Sequence, residues 1–202
     1  MIHLIGAGGH AKVVLDALLE GGTNLSGVTV RADAPAPDLL GLPVGTPSVA
    51  PALTGLSCHV AIGAAEVRRR LYVEAEAAGG APLTVIHPAA TVSRFATVAD
   101  GAFIAASAVV GPRAVVGRGV IVNHGAVIDH DCAVGDFSHI APNTSLGGGV
   151  TVGARCLIGA GAVILPGVAV GDDVTIGAGA VVTRDVASQQ TWTGVPAAPK
   201  AS

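Results

Sequence analysis

Aromatic side chains are nearly missing from this chain: three phenylalanines, one tyrosine and one tryptophan stand among 202 residues. A core built on rings is excluded, although half of the residues are hydrophobic. Charge is scarce as well. Charged residues make up 12% and the formal net charge is −3, which leaves no basic footprint for a nucleic acid. No apolar stretch free of glycine and polar residues approaches membrane-spanning length. The opening Met1-Ile2-His3-Leu4-Ile5-Gly6 has neither the basic region nor the long apolar run of a signal peptide. A cytoplasmic protein with no membrane partner is expected. There are only three cysteines, too few for a disulfide framework.

What the chain has in quantity is a period of six. Every sixth residue from Ile86 to Val182 is a branched aliphatic, through Ile104, Val122, Ile140, Ile158 and Ile176, and no insertion breaks the count. Two residues before each aliphatic sits a small or slim one, such as Ala102, Ala126, Ser138, Thr144 or Ala162. Glycine often follows, as at Gly111, Gly135 and Gly159. A fixed period of six over about a hundred residues is the mark of a hexapeptide β-helix. Each hexapeptide supplies a short strand and a turn, and three of them close one triangular coil. The aliphatics point into the prism, and a coil rises about 4.8 Å, the spacing of paired strands. Every coil then depends on its neighbours. A narrow prism of valine, isoleucine and alanine also accounts for the missing rings. Cys132 and Cys156 fall in small-residue positions on different faces and read as buried free thiols.

Ahead of the prism, Ile2 to Ile5 reads as a buried strand that runs into Gly6-Ala7-Gly8-Gly9-His10-Ala11 and an apolar helix ended by Gly21-Gly22. Strand, glycine turn and helix N-terminus together form an anion site, because free N–H groups and the helix dipole face a phosphate. The loose dinucleotide pattern is met, but alone it is weak. A second strand is expected at Gly27–Val30, a third at Ser57–Ile62, and a helix over Glu66–Ala78 with Arg68, Arg69 and Arg70 near its start. Residues 32–57 read as a proline- and alanine-rich connection. That is half a dinucleotide fold, suited to a mononucleotide, and a purely structural cap is the other reading. The division expected is an α/β half-Rossmann (βαβ) domain over 1–85, a β-helix over 86–186 and a C-terminal tail over 187–202.

Polar residues that could do chemistry gather at Asn123-His124 and Asp129-His130-Asp131, with Ser138-His139 beyond. His124 and His130 share one phase on neighbouring faces and point apart, so no ligand set forms within one subunit. A metal shared across a subunit interface stays open. His130 beside Asp131 reads as a base and its partner, since a carboxylate raises imidazole basicity and fixes its tautomer. A surface histidine with a solvated acid is the plain alternative.

The glycine-rich Gly6-Ala7-Gly8-Gly9-His10-Ala11-Lys12 combined with the hexapeptide prism resembles the bacterial sugar O-/N-acyltransferases, which include bacillosamine and perosamine N-acetyltransferases and sialic acid O-acetyltransferases. Ala61-Ile62-Gly63, Ile86-His87-Pro88, Asn123, His130-Asp131, Ser138-His139 and Gly194-Val195-Pro196-Ala197 carry the likeness through nearly the whole chain. The resemblance implies a homotrimer of left-handed parallel β-helices with acetyl-CoA, and no metal, in the groove between subunits. It implies His130 as general base and Asp131 as its partner, with His139 and the backbone near Gly148, Ala160 and Ala178 on acetyl-CoA. Gly8, Gly9, His10, Asp33, Gly63 and Asn123 would hold a nucleotide-linked amino sugar, UDP- or GDP-linked. Relatives place adjacent acids after the second strand; here only Asp33 stands there. The unbroken register leaves no room for an extruded loop, so specificity is expected from residues 1–85. The activity implied is N-acetylation. O-acetylation of a sugar such as sialic acid, a metal-dependent hydratase and a non-catalytic scaffold are the alternatives.

Overall fold

In the computed structural model, which describes residues 1–200, the hexapeptide register is realised rung for rung. Val85–Ile86, Phe103–Ile104, Ile121–Val122, His139–Ile140, Leu157–Ile158 and Thr175–Ile176 stack as parallel strands on one face, here face A. Face B stacks Thr91–Val92 through Val181–Val182, and face C Thr97–Val98 through Ala169–Val170. Partners lie one coil apart throughout: Val109 pairs with Val127, and Val127 with Ser145. The chain is a parallel β-helix.

The register needs a sharp turn every six residues, and the backbone provides it with left-handed residues. Gly101, Ser107, Arg113, Gly119, Gly125, Asp131, Phe137 and Asn143 all have φ between 57° and 71°, and the series continues to Gly179. Glycine, asparagine and aspartate adopt this conformation readily, whereas arginine and phenylalanine adopt it at some cost. Phe137 is compensated by burial, packing edge-on against Tyr72 at 5.4 Å. Glycines after the aliphatics answer a second demand, the close approach of coils at corners. A Cβ on Gly135 would stand 2.6 Å from the carbonyl carbon of Gly153.

The aliphatics from Ile104 to Val182 and most of the small residues beside them are buried. Where a small residue is polar, it bonds to the corner above: Ser138 Oγ donates to Gly153 O at 2.7 Å, and Thr144 Oγ1 to Gly159 O at 3.0 Å. Cys132 and Cys156 are buried and free, and burial pushes both thiols up from their ordinary value. The first coil departs from the expectation that every aliphatic is enclosed. Ile86 is 43% exposed and Val92 and Val98 are half-buried, because no coil lies beneath them. At the other end Thr191–Thr193 adds a strand to face A, and Trp192 is buried as a lid over the prism.

The N-terminal part is a Rossmann-like sheet. Strands β1 (Ile2–Ile5), β2 (Val28–Arg31), β3 (Asp38–Leu39), β4 (Leu42–Gly45), β5 (Ser57–Val60) and β6 (Ala81–Pro82) lie in the order β3-β4-β2-β1-β5-β6. Helix α1 (Gly9–Glu20) follows β1, and α2 (Ala65–Ala77) follows β5. The β3–β4 hairpin corrects the expectation of an irregular connection over 32–57. Leu39 is fully buried and Asp38 caps the turn at Gly41 N, 2.9 Å away, while β4 runs parallel to β2. A turn is legible in the sequence at Gly41-Leu42-Pro43; the structure places it at Leu40-Gly41, with φ 49° and 87°, and Leu42 and Pro43 already belong to β4.

This sheet docks on face A. The outward side chains of face A, Val85, Phe103 and Ile121, are buried with Val14, Leu15 and Leu18 of α1. Arg68 of α2 crosses the junction fully buried. Its Nε donates to Gly119 O (2.8 Å), Nη1 to Ile62 O and Gly63 O (2.8 and 2.6 Å), and Nη2 to Phe137 O and Ser138 O. Burial lowers its pKa to about 10, so it stays charged at neutral pH with no carboxylate against it. Arg68→Met would leave those carbonyls buried without donors. The expected loss is about 3 kcal/mol or more of unfolding free energy, measurable by urea denaturation; a loss under 1 kcal/mol would contradict this role.

Candidate active site

Two groups of polar side chains stand out, and they lie at different corners of the prism. The first is at the corner between faces B and C. Ile128 ends its strand, and the left-handed Asp131 turns the chain toward Cys132, which leaves Asp129, His130 and Asp131 on the outside. The His130 backbone N–H donates to Asp129 Oδ1 at 2.7 Å, and the His130 ring meets Asp131 Oδ2 through Nδ1 at 2.8 Å. With Asp131 ionised, Nδ1 carries the proton and the Nε2 lone pair is free. The hydrogen bond to Asp131 raises the pKa of His130, and the charge of Asp129 adds to it. The same bond lowers the pKa of Asp131.

One coil above, Gly148 lies against the ring. A Cβ there would come within 2.5 Å of His130 Nε2 and Cε1, so only glycine leaves the imidazole in place. Gly149 N bonds His130 O at 2.9 Å, but among the described residues no hydrogen bond engages the N–H of Gly148, Ala160 or Ala178. Unpaired N–H groups beside a base are ready donors to a developing oxyanion or to an amide carbonyl. Ala160 and Ala178 stack at the next corner, between faces A and B, above His124.

The second group fills the junction between the Rossmann-like sheet and face A. His139 Nε2 faces Asn123 Nδ2 at 3.1 Å; if the amide donates, His139 carries its proton on Nδ1. His10, at the start of α1, packs edge-on against Phe103 at 5.3 Å and leaves Nε2 buried without a partner. His59 is buried on β5, with Nδ1 bonded to Leu83 O at 2.8 Å. Burial first, with Arg68 adding its charge, lowers His139 to about 4. Burial with the neighbouring His59, His139 and Arg68 lowers His10 to about 3. His59 falls to about 4, chiefly by burial. All three are neutral at pH 7, which makes them donors and acceptors rather than cations.

At the end of the sheet where β1 and β5 finish, Gly6 adopts φ +125°, and a Cβ there would meet Ala61 O at 2.8 Å. Gly8, Gly9 and Gly63 have open space on the Cβ side, and Gly8 precedes α1 without a side-chain cap. The strand, glycine turn and helix N-terminus expected from the sequence are in place here. Asp33 lies at this end too, but its carboxylate is already engaged: Oδ1 takes the Ser48 N–H and hydroxyl, and Oδ2 lies 3.5 Å from Arg70. Among the described residues no group of three His, Cys, Asp or Glu side chains converges on a common ion position.

Thus one chain brings His10, Asn123 and His139 together beside Gly8, Gly9 and Gly63, and brings His130, Asp131 and Gly148 together elsewhere. Neither group reaches the other. Sequence reasoning missed His59 and the role of Arg68, whose contacts exist only once face A and the sheet have met. It also missed Arg113, whose Nε lies 2.9 Å from Asp131 Oδ1. That residue is one coil below Asp131 in the same turn position, so the register itself carried the signal.

Comparison with known proteins gives a consistent picture. The family described as the PglD N-terminal domain matches residues 1–75, the bacterial transferase hexapeptide family 131–165, and the hexapeptide repeat of succinyl-transferase 149–184. A mutant of perosamine N-acetyltransferase from Caulobacter crescentus, solved with CoA and GDP-perosamine, has a histidine replaced by asparagine. It is 38% identical, with 100% of this chain and 97% of that chain covered and a TM-score of 0.94. The acetyltransferase domain of PglB from Neisseria gonorrhoeae, in complex with acetyl coenzyme A, is 37% identical over 98% of both chains, with a TM-score of 0.92. WeeI from Acinetobacter baumannii, 21% identical with a TM-score of 0.67, shares the fold. No curated protein sequence matches.

Two measurements test this geometry. Gly148→Ala is expected to push the His130 ring off Asp131, so that its pKa falls back toward the ordinary value near 6.5, read from the ring resonances by NMR. An unmoved titration would mean the corner yields instead. The junction histidines give a stability profile. Their folded pKa values lie below those of the unfolded chain, so in acid the unfolded state binds protons that the folded state refuses. Stability is expected to fall as pH drops from about 6.5 toward 4, with a shallower slope in His59→Gln. A flat profile would show these rings to be protonated in the fold.

Proposed function

Because the chain belongs to the hexapeptide-repeat sugar acyltransferases, in which a PglD-type domain precedes a parallel β-helix, we propose that it acetylates the amino group of a nucleotide-linked amino sugar from acetyl-CoA. The observation behind this reading is the His130–Asp131 pair set against the unpaired Gly148 N–H, in a chain similar over its full length to perosamine N-acetyltransferase. A relative solved with CoA and GDP-perosamine supports both substrate classes, and the PglB domain supports acetyl-CoA as donor.

The division into two half-sites favours a homotrimer of left-handed prisms. Face B carries an outward stripe of Val109, Val127, Ser145, Val163 and Val181, a surface suited to a second copy. The His130 corner of one protomer would then meet the corner of Ala160 and Ala178, with Asn123 and His139, on its neighbour. Acetyl-CoA would lie between them beside His139, its amides on the free N–H groups of Ala160 and Ala178 and its thioester carbonyl at the N–H of Gly148. The cradle of Gly8, Gly9 and Gly63 would take the diphosphate, and Asp33 would face the base. His10 and Asn123 would orient the sugar.

Chemistry follows from the dyad. The sugar amine attacks the thioester carbonyl carbon while His130 Nε2 accepts its proton, and Asp131 stabilises the resulting imidazolium. Negative charge collects on the carbonyl oxygen, where the Gly148 N–H can donate. The intermediate collapses, the carbon–sulfur bond breaks, and CoA thiolate leaves. Cys132 and Cys156 are poor candidates for an acyl-enzyme, because both are buried with raised pKa values.

Thiol release from acetyl-CoA with a panel of UDP-, GDP- and dTDP-linked amino sugars tests the reaction, with hydroxyl analogues and sialic acid alongside. Turnover with an amino sugar is expected, and His130→Ala is expected to lower it about 10²–10⁴-fold. Activity confined to hydroxyl acceptors would make it an O-acetyltransferase. Mixing His130→Ala with His139→Ala subunits by co-expression is expected to restore part of the activity, since mixed trimers contain intact composite sites. No recovery would place the site within one chain.

A further inference from the structure

We propose that Arg113 is a positioning residue for the base: it holds Asp131 by one carboxylate oxygen so that the other faces the His130 ring. The proposal rests on the reading of His130 as the base, and its geometry stands apart from that reading.

The protein contains its own comparison. Arg113 and Asp131 occupy the same left-handed turn position in successive coils, with φ of 63° and 60°. Arg155 and Asp173 do the same at the neighbouring corner, two coils and one corner further along the chain, both at φ 57°. The backbone rung beneath each aspartate matches as well: Asp131 N bonds Pro112 O at 3.1 Å and Asp173 N bonds Ala154 O at 2.9 Å. Stacked corners of this kind bring an arginine below and an aspartate above within reach. At the Arg155 corner the arginine takes both oxygens, Nε to Oδ1 and Nη2 to Oδ2, each at 2.7 Å. At the Arg113 corner only Oδ1 is taken, at 2.9 Å, and Oδ2 is given to His130 Nδ1 at 2.8 Å. The pair at His130 is thus the same coil-to-coil ladder with one oxygen diverted to the imidazole.

A free aspartate at an exposed corner turns about its side-chain torsions, and either oxygen, or neither, can meet the ring. Anchoring Oδ1 removes that freedom. The imidazole is then held as the Nδ1–H tautomer with Nε2 toward Gly148, the state a base needs. Stability is not at stake, because Arg113 is 81% exposed and exposed pairs contribute little to folding. The charged groups around His130 are Asp129, whose carboxylate takes the His130 N–H, Asp131, and Arg113 acting through Asp131. From the coil above, Gly148 lies against the ring, and it carries no charge.

The test follows the His130 ring by NMR in histidine-labelled protein, which needs no substrate, and sets Arg113→Gln and Arg113→Lys beside Arg155→Gln. Arg113→Gln is expected to lower the His130 pKa toward the ordinary value near 6.5, Arg113→Lys to restore it, and Arg155→Gln to leave it unmoved. An upward shift would mean that Arg113 acts only as a charge opposing the imidazolium, and no shift would mean that Asp131 holds itself; either overturns the proposal. In turnover, Arg113→Gln is expected to lower kcat about 3- to 10-fold with both KM values unchanged. Loss of turnover in His130→Gln with full turnover in Arg113→Gln would sink the positioning role alone. Full turnover in His130→Gln would remove the base itself, while the NMR result would still decide the geometry.

Discussion

The spacing between coils governs this molecule. A parallel ladder fixes the rise at about 4.8 Å and the register at three hexapeptides per coil, so every residue has one neighbour directly above and one directly below. The whole sequence pattern answers that constraint. Branched aliphatics fill the prism, small residues sit beside them, and glycine appears where corners crowd. Left-handed residues recur at each turn. The same stacking supplies the chemistry: His130 needs Gly148 above it for room, and Asp131 has Arg113 beneath it.

A rigid prism of this kind is a poor place to recognise a large substrate, because its surface is a repeating pattern of short side chains. Under the proposed function recognition falls to the Rossmann-like sheet, and the docking of that sheet on face A is the second event that matters. Phe103 and Ile121 are apolar on a strand's outer face, which would be a liability on a bare prism and is a contact surface here. Arg68 is the counterpart in polar terms. It gathers carbonyls from the Gly63 turn and from the coil that precedes His139, so the sheet and face A share one anchor. Its charge also helps to keep the junction histidines neutral.

Much of this was legible in the residues. The prism, the strand–glycine turn–helix at the start, and the His130–Asp131 pair all follow from spacings that local physics constrains tightly. The turn at Gly41 was legible but the β3–β4 pairing around it was not, because β3 is only two residues long and carries no strand pattern. Nor was the engagement of Asp33, since Ser48 and Arg70 approach it from distant positions. His59 looked like one more strand residue until β5, Phe103 and α1 enclosed it.

By itself the sequence determined what repetition determines: a six-residue period admits one backbone path, and the residues that break its monotony mark where chemistry can occur. Which of those residues act together was decided only by the tertiary structure. His124, His130 and His139 are close in sequence, yet the triangular coil sends His130 to one corner and joins His139 to Asn123 and His10 at another. The reason is geometric. A solenoid makes near neighbours in sequence diverge around the prism and makes residues a full coil apart adjacent, so proximity along the chain says little, and proximity in space must be read from the stack and from the domain that closes on it.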